Sequence, residues 1–121
     1  MEELQQILDT LLGENGCPWD KKQTHESMKP YLLEEAGEVI DAIDTEDMRA
    51  LQEELGDVLL QVVFHAKLAE KAGHFNFSDV LRGLCEKLVR RHSHVFGDDI
   101  AVTEEEVLRL WKENKRKEQS L

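Results

Sequence analysis

Two pairs of carboxylates stand out as residues able to do chemistry together, Glu35 with Glu38 and Glu54 with Asp57. Residues three apart are neighbours on a helix surface, so each pair presents two carboxylates on one face. Fifteen residues separate the pairs. If the helices that carry them pack antiparallel across a tight turn, all four carboxylates face one small volume. Two unit charges about 6 Å apart repel by roughly 3 kcal/mol at an effective dielectric of about 20, so such a cluster calls for a cation. Hard oxygen donors with neither thiolate nor imidazole among them suit Mg²⁺ or Mn²⁺ rather than zinc or copper. Di-iron bundles place a histidine three residues after a glutamate, and neither Glu35 nor Glu54 has one, which points away from iron. The alternative reading, that these acids are the wet sides of two amphipathic helices, stays open at this point.

The elements that must position these groups follow from the apolar spacing. Leu4, Ile7, Leu8, Leu11 and Leu12 predict a first helix over Met1–Gly13. Glu14 to Pro30 carries Asn-Gly, Cys-Pro and Lys-Pro steps together with Trp19, and reads as an ordered loop or short turns. Leu32, Leu33, Ala36, Val39, Ile40 and Ile43 predict a second helix from Tyr31 to about Asp44, with Gly37 as an internal blemish. Asp44, Thr45 or Asp47 could cap a long third helix that ends near Gly73. So short a link makes helices two and three an antiparallel hairpin. A fourth helix starts at Asn76 or Ser78 and runs to Gly97, and Thr103 with Glu106 forms a capping box for a fifth. Nothing alternates as a strand would. The expected fold is all-α, a bundle of about five helices forming one domain over residues 1–121.

Charge narrows the partners. The net charge is −11, which argues against a nucleic acid polymer, since such binders carry a basic face. Residues 1–60 hold four Lys or Arg against sixteen Asp or Glu, whereas residues 61–121 hold eleven against ten. The acid is therefore concentrated where the carboxylate pairs lie. No run approaches about eighteen apolar residues, so no membrane-spanning helix is expected. Cys17 and Cys85 stand alone without a C-x-x-C partner, and no apolar signal segment opens the chain, which suggests a reduced, cytoplasmic setting.

Several blocks taken together resemble the MazG family of nucleoside triphosphate pyrophosphohydrolases. They are Cys17-Pro18-Trp19-Asp20 with Gln23-Thr24, Leu33-Glu34-Glu35-x-x-Glu38-Val39, Glu54-Leu55-Gly56-Asp57, Gln61-Val62-Val63-Phe64, and Arg90-Arg91-His92-x-His94-Val95-Phe96-Gly97-Asp98. The match runs from about Leu4 to Trp111. The resemblance implies an all-α NTP pyrophosphatase fold, Mg²⁺ dependence, and hydrolysis of a nucleoside triphosphate to the monophosphate and pyrophosphate. It makes Glu35, Glu38, Glu54 and Asp57 the metal ligands, and one of these glutamates, or Glu34 beside them, the acceptor of the water's proton. Many relatives have a bulky residue at Gly37 and proline at Ser93, departures that touch no ligand position. Val58, Leu59, Val62 and Val63 put apolar residues on more than one side of helix three, so self-association is expected; the resemblance implies a homodimer with the nucleotide near a subunit boundary, and a pairing of dimers into a tetramer is the alternative. A catalytically weak nucleotide-binding or dimerisation module is the competing expectation.

Lys87, Arg90 and Arg91 fall at i, i+3 and i+4, so three cations on one face could meet a triphosphate. A solvated stripe is the other reading. Trp19 either stacks on a nucleobase or plugs the bundle end, and Lys21 and Lys22 are further phosphate candidates. His92 and His94 lack a third zinc ligand and are expected to cap or pack. His65 is expected as a helix-face histidine rather than a base, and Trp111 as packing.

Overall fold

The computed structural model describes residues 1–119, and every regular element among them is a helix. There are seven rather than the five expected: α1 (Glu2–Leu11), α2 (Pro18–Lys22), α3 (His25–Asp44), α4 (Met48–Lys71), α5 (Phe77–Arg91), α6 (Ser93–Phe96) and α7 (Glu104–Gln119). The chain divides into two compact units, one from Met1 to Phe77 and the other from Ser78 onward.

The first unit is built round the α3–α4 hairpin, with α1 laid against α4. Leu8 and Leu12 from the α1 end, Met28 and Ala42 from α3, and Val63, Phe64, Ala66 and Ala69 from α4 are buried. Lys67 is buried with them and is held by Asp9 at 2.8 Å and Glu70 at 3.4 Å, so the charge taken out of water has partners. Asp47 caps α4 by accepting from the Ala50 N–H at 3.1 Å. At the other end of α4, Gly73 has φ +80, and the Gly73 and His74 N–H groups donate to the Glu70 and Ala69 carbonyls, a Schellman closure that wants glycine there.

The expected loop before α3 is more helical than its breakers suggest. Gly16 lets Cys17 N–H reach the Leu11 carbonyl at 2.8 Å, folding the chain back on the end of α1. A Cβ at Gly16 would lie 2.0 Å from that same carbonyl oxygen. α2 then follows with Pro18 in its first turn, where no N–H is needed. α3 begins at His25, six residues before the expected Tyr31, because Thr24 and Ser27 form a reciprocal cap: Ser27 N–H donates to Thr24 Oγ1 at 3.0 Å and Thr24 N–H to Ser27 Oγ at 2.8 Å. Pro30 lies inside the helix as its sixth residue.

In the second unit, the single helix expected up to Gly97 is broken at His92, whose Nδ1–H donates to the Leu88 carbonyl at 2.7 Å and caps the end of α5. The α7 cap also differs in one contact. Glu106 N–H donates to Thr103 Oγ1 at 3.2 Å as expected, but the Glu106 carboxylate accepts from Val102 N–H rather than from Thr103. Asn114 is buried and donates to Ser93 Oγ at 2.8 Å. No described helix is long and apolar enough to cross a membrane.

Candidate metal centre

The antiparallel α3–α4 hairpin brings both carboxylate pairs together. One oxygen from each of Glu35, Glu38, Glu54 and Asp57 lies within 4.8 Å of the others, and among the described residues this is the one such group of three or more. Glu35, Glu38 and Glu54 are half-buried and Asp57 is exposed. Glu34 is exposed and stands outside the set, although its charge adds to the repulsion on Glu35.

The electrostatics of the cluster are those of acids crowded without compensation. Burial first, then Glu38, Asp57 and Glu34, raise the Glu35 carboxyl above its ordinary 4.5. The interaction with Glu38 first, then burial and the charges of Glu38, Asp57 and Glu35, raise Glu54 to about 7. Glu35 Oε2 and Glu54 Oε2 are buried without a hydrogen-bond partner. Buried acceptors facing one another in this way fit an oxygen-seeking divalent cation, which would answer both the repulsion and the missing partners.

A pocket of about 240 Å³ opens beside the cluster, with Glu35 in its wall. Trp19 and Tyr31 meet edge to face in it, their rings 5.6 Å apart and 75° inclined. A relay fixes the tryptophan's segment: Gln23 Nε2 donates to the Trp19 carbonyl at 2.8 Å, and Gln23 Oε1 accepts from Ser27 Oγ at 2.8 Å. Trp19 therefore lines an open pocket and is 48 % exposed, which argues against its being a buried plug. Asp20, Leu60, Gln61 and Phe64 line the same pocket. Sequence reasoning gave Tyr31 and Gln61 no role, yet Gln61 is legible as the polar residue within the apolar run Val58–Phe64.

The remaining expected residues are disposed elsewhere. Lys87, Arg90 and Arg91 lie on α5, and there Arg90 Nε donates to Glu118 at 2.6 Å while Arg91 Nη2 donates to it at 3.0 Å. These two guanidiniums, Arg90 first, hold the Glu118 carboxyl down at about 2. Arg91 also lies over the Trp111 ring at 5.2 Å, and His92 meets Trp111 edge to face at 5.0 Å, so Trp111 packs as expected. Lys21 Nζ donates to the Glu14 carbonyl at 2.9 Å, and Lys22 is exposed. His92 and His94 are 5.7 Å apart, ring to ring, and belong to no group of three donors among the described residues. His65 approaches His25 with 2.8 Å between their Nδ1 atoms and the rings stacked. Burial, then His25, keep it below its ordinary 6.5.

The comparisons with known proteins converge on one family. A family profile described as "MazG nucleotide pyrophosphohydrolase domain" matches residues 23–96. The chain is 60 % identical over 97 residues to "Nucleoside triphosphate pyrophosphohydrolase/pyrophosphatase MazG" of Thermotoga maritima, covering 80 % of this chain and 38 % of that one. It is 52 % identical over 114 residues to "Uncharacterized protein YabN" of Bacillus subtilis, covering 94 % and 23 %. The chain thus spans well under half the length of these curated relatives. The crystal structure of a mazG-related protein from Thermotoga maritima superposes with a TM-score of 0.79 at 28 % identity, covering 96 % of this chain and 99 % of that one. The profile takes in α3, α4 and α5, and with them both carboxylate pairs and the hairpin that brings their oxygens together. A profile match over more than half of the chain and a shared fold have one explanation, and the chain belongs to the MazG nucleotide pyrophosphohydrolase domain family.

Proposed function

We propose that the chain is a Mg²⁺-dependent nucleoside triphosphate pyrophosphohydrolase that cleaves (d)NTPs between the α- and β-phosphates and clears nucleotides from the pool. The observation that carries this reading is the convergence of four carboxylates from α3 and α4, two of them with buried oxygens that lack partners. Glu35, Glu38, Glu54 and Asp57 would hold the cation, Mg²⁺ or Mn²⁺ in its place. Bound there, it would neutralise phosphate charge and acidify water. Water attacks the α-phosphorus, its oxygen forms the new P–O bond, and the bond to the bridging oxygen breaks to release pyrophosphate. The water's proton passes to a glutamate of this set or to Glu34, which is exposed beside Glu35.

The base enters the aromatic pocket, where Trp19 offers an exposed face for stacking. A phosphate role for Arg90 and Arg91 requires phosphate to displace Glu118, since both already donate to it. Lys87 on the same helix is half-buried and is the third cation of that set.

We also propose a homodimer, with a tetramer as a pair of dimers. Leu33 is 77 % exposed and Ile40 57 % exposed, and seven residues apart they share one stripe of α3. Two free cysteines, Cys17 and Cys85, fit a reducing, cytoplasmic setting.

The test is pyrophosphate release from a panel of (d)NTPs with Mg²⁺, comparing wild type with Glu38→Gln and Asp57→Asn. Turnover by wild type and its loss in both variants is expected. Nucleotide binding without turnover would instead leave a nucleotide-binding module.

A further inference from the structure

The aromatic wall of the pocket is useful to a nucleotide only if it keeps its place relative to the carboxylates, and what keeps it there is an inference that rests on the triphosphate reading above. Trp19 rides on α2, which is five residues long. So short a helix has no stability of its own in water, and the ties at its two ends decide where its side chains stand. At the start, Cys17 N–H donates to the Leu11 carbonyl and ties α2 to the end of α1. At the far end the tie is a side chain, that of Gln23.

The Gln23 carboxamide lies between two groups whose hydrogen-bonding sense is fixed. The Trp19 carbonyl can only accept, so the group 2.8 Å from it is the Gln23 NH₂. Gln23 Oε1 is thereby turned to Ser27 Oγ, also at 2.8 Å. Ser27 Oγ accepts from Thr24 N–H at 2.8 Å, which leaves its proton to give to Gln23, and the competing Thr24 carbonyl is farther away at 3.1 Å. The chain of bonds therefore runs one way, from the cap of α3 through Ser27 and Gln23 to the backbone of Trp19. Tyr31 and Glu35 stand one helical turn apart on α3 and line the same pocket as Trp19. Tying the Trp19 segment to the first turn of α3 thus sets the indole in register with the helix that carries Glu35 and Glu38.

We propose that Gln23 is a positioning residue for the nucleotide: acting through the Trp19 carbonyl, it holds the indole beside the carboxylates, where a base can stack, and touches no substrate atom itself.

The test is calorimetric titration in Mg²⁺ with the α,β-methylene analogues of ATP, GTP, CTP and UTP, and with inorganic tripolyphosphate, which has no base to stack. Gln23→Met, of similar length but without the carboxamide, is expected to weaken the tightest analogue about three- to tenfold, as the loss of one hydrogen bond would, and to leave tripolyphosphate unchanged. Gln23→Glu still accepts from Ser27 but offers the Trp19 carbonyl no N–H at pH 8, so it is expected to do the same and serves if Gln23→Met fails to fold. In a Trp19→Ala background Gln23→Met is expected to add nothing, because a residue that acts through Trp19 has nothing left to hold. In turnover, KM is expected to rise by the same factor with kcat within about twofold of wild type. Analogue binding that is unchanged in the Gln23 variants or in Trp19→Ala, an equal weakening of tripolyphosphate, or a Gln23→Met effect that persists in Trp19→Ala overturns the proposal, and no binding of any analogue overturns it together with the triphosphate reading. Weakening that depends on Trp19, without turnover of any triphosphate, would uphold the positioning role and refute hydrolysis. Turnover with analogue binding indifferent to Gln23 would do the reverse.

Discussion

Glu54 lies across the hairpin from Glu38, with a carboxylate oxygen of each within 4.8 Å of the other, and the interaction with Glu38 is the largest of the influences that raise Glu54 from its ordinary 4.5 to about 7. The two residues come from different helices, α3 and α4, so the contact is a property of the hairpin and not of either helix. A cation and a proton are alternative answers to the same crowding.

The stability of the cation-free protein follows from that relationship. A carboxyl with a higher pKa folded than unfolded binds its proton more tightly in the native chain, so the stability it confers is present below 4.5 and is lost as pH rises through about 7. Glu35 is raised in the same direction. In chelator, Tm is expected to fall between pH 5 and pH 8, and Mg²⁺ is expected to restore it more at pH 8 than at pH 5. A cation that binds only the native chain adds about 2.7 kcal/mol at a hundredfold excess over its Kd. Calorimetry at the two pH values checks this, and a Tm in chelator that rose with pH would contradict it.

Glu54→Gln exchanges function for stability. Removing one charge from the cluster is expected to raise the Tm in chelator at pH 8, to abolish the Mg²⁺-induced increase, and to reduce turnover by more than about a hundredfold. Denaturation with and without Mg²⁺, set beside the pyrophosphate assay, reads all three effects.

Two glycines are expected to respond in opposite ways to alanine. At Gly16 the added Cβ meets the Leu11 carbonyl oxygen at 2.0 Å, a backbone atom that cannot give way cheaply, and a loss of roughly 3 kcal/mol is expected. At Gly37, inside α3, a Cβ meets nothing within 4 Å, and Gly37→Ala is expected to stabilise by about 0.5–1 kcal/mol through helix propensity. Urea unfolding of both variants gives the two signs directly.

The exposed stripe on α3 predicts self-association. Light scattering is expected to return about twice the 14.0 kDa of the chain, and Ile40→Glu is expected to shift it to the monomer mass with helical circular dichroism retained. A wild-type mass of one chain would remove the dimer and leave the carboxylate chemistry untouched.

By itself the sequence determined the helical class, the hairpin and the residues of the acidic cluster. Those rest on short-range periodicity, since apolar residues at three- and four-residue spacing define a helix face, and a three-residue link leaves two helices no arrangement but an antiparallel one. Local rules were weaker where two signals competed. Pro30 read as a breaker, yet it lies inside α3 as its sixth residue, and His92 ended a helix whose apolar pattern ran on. Tertiary structure alone decided the rest. That Glu54 meets Glu38, that Trp19 meets Tyr31 beside Glu35, that Gln61 is buried without a partner and that Glu118 engages Arg90 and Arg91 are all relations between separate stretches of chain. Spacing along one helix cannot encode them, because burial and charge coupling depend on which faces the packed helices turn toward one another.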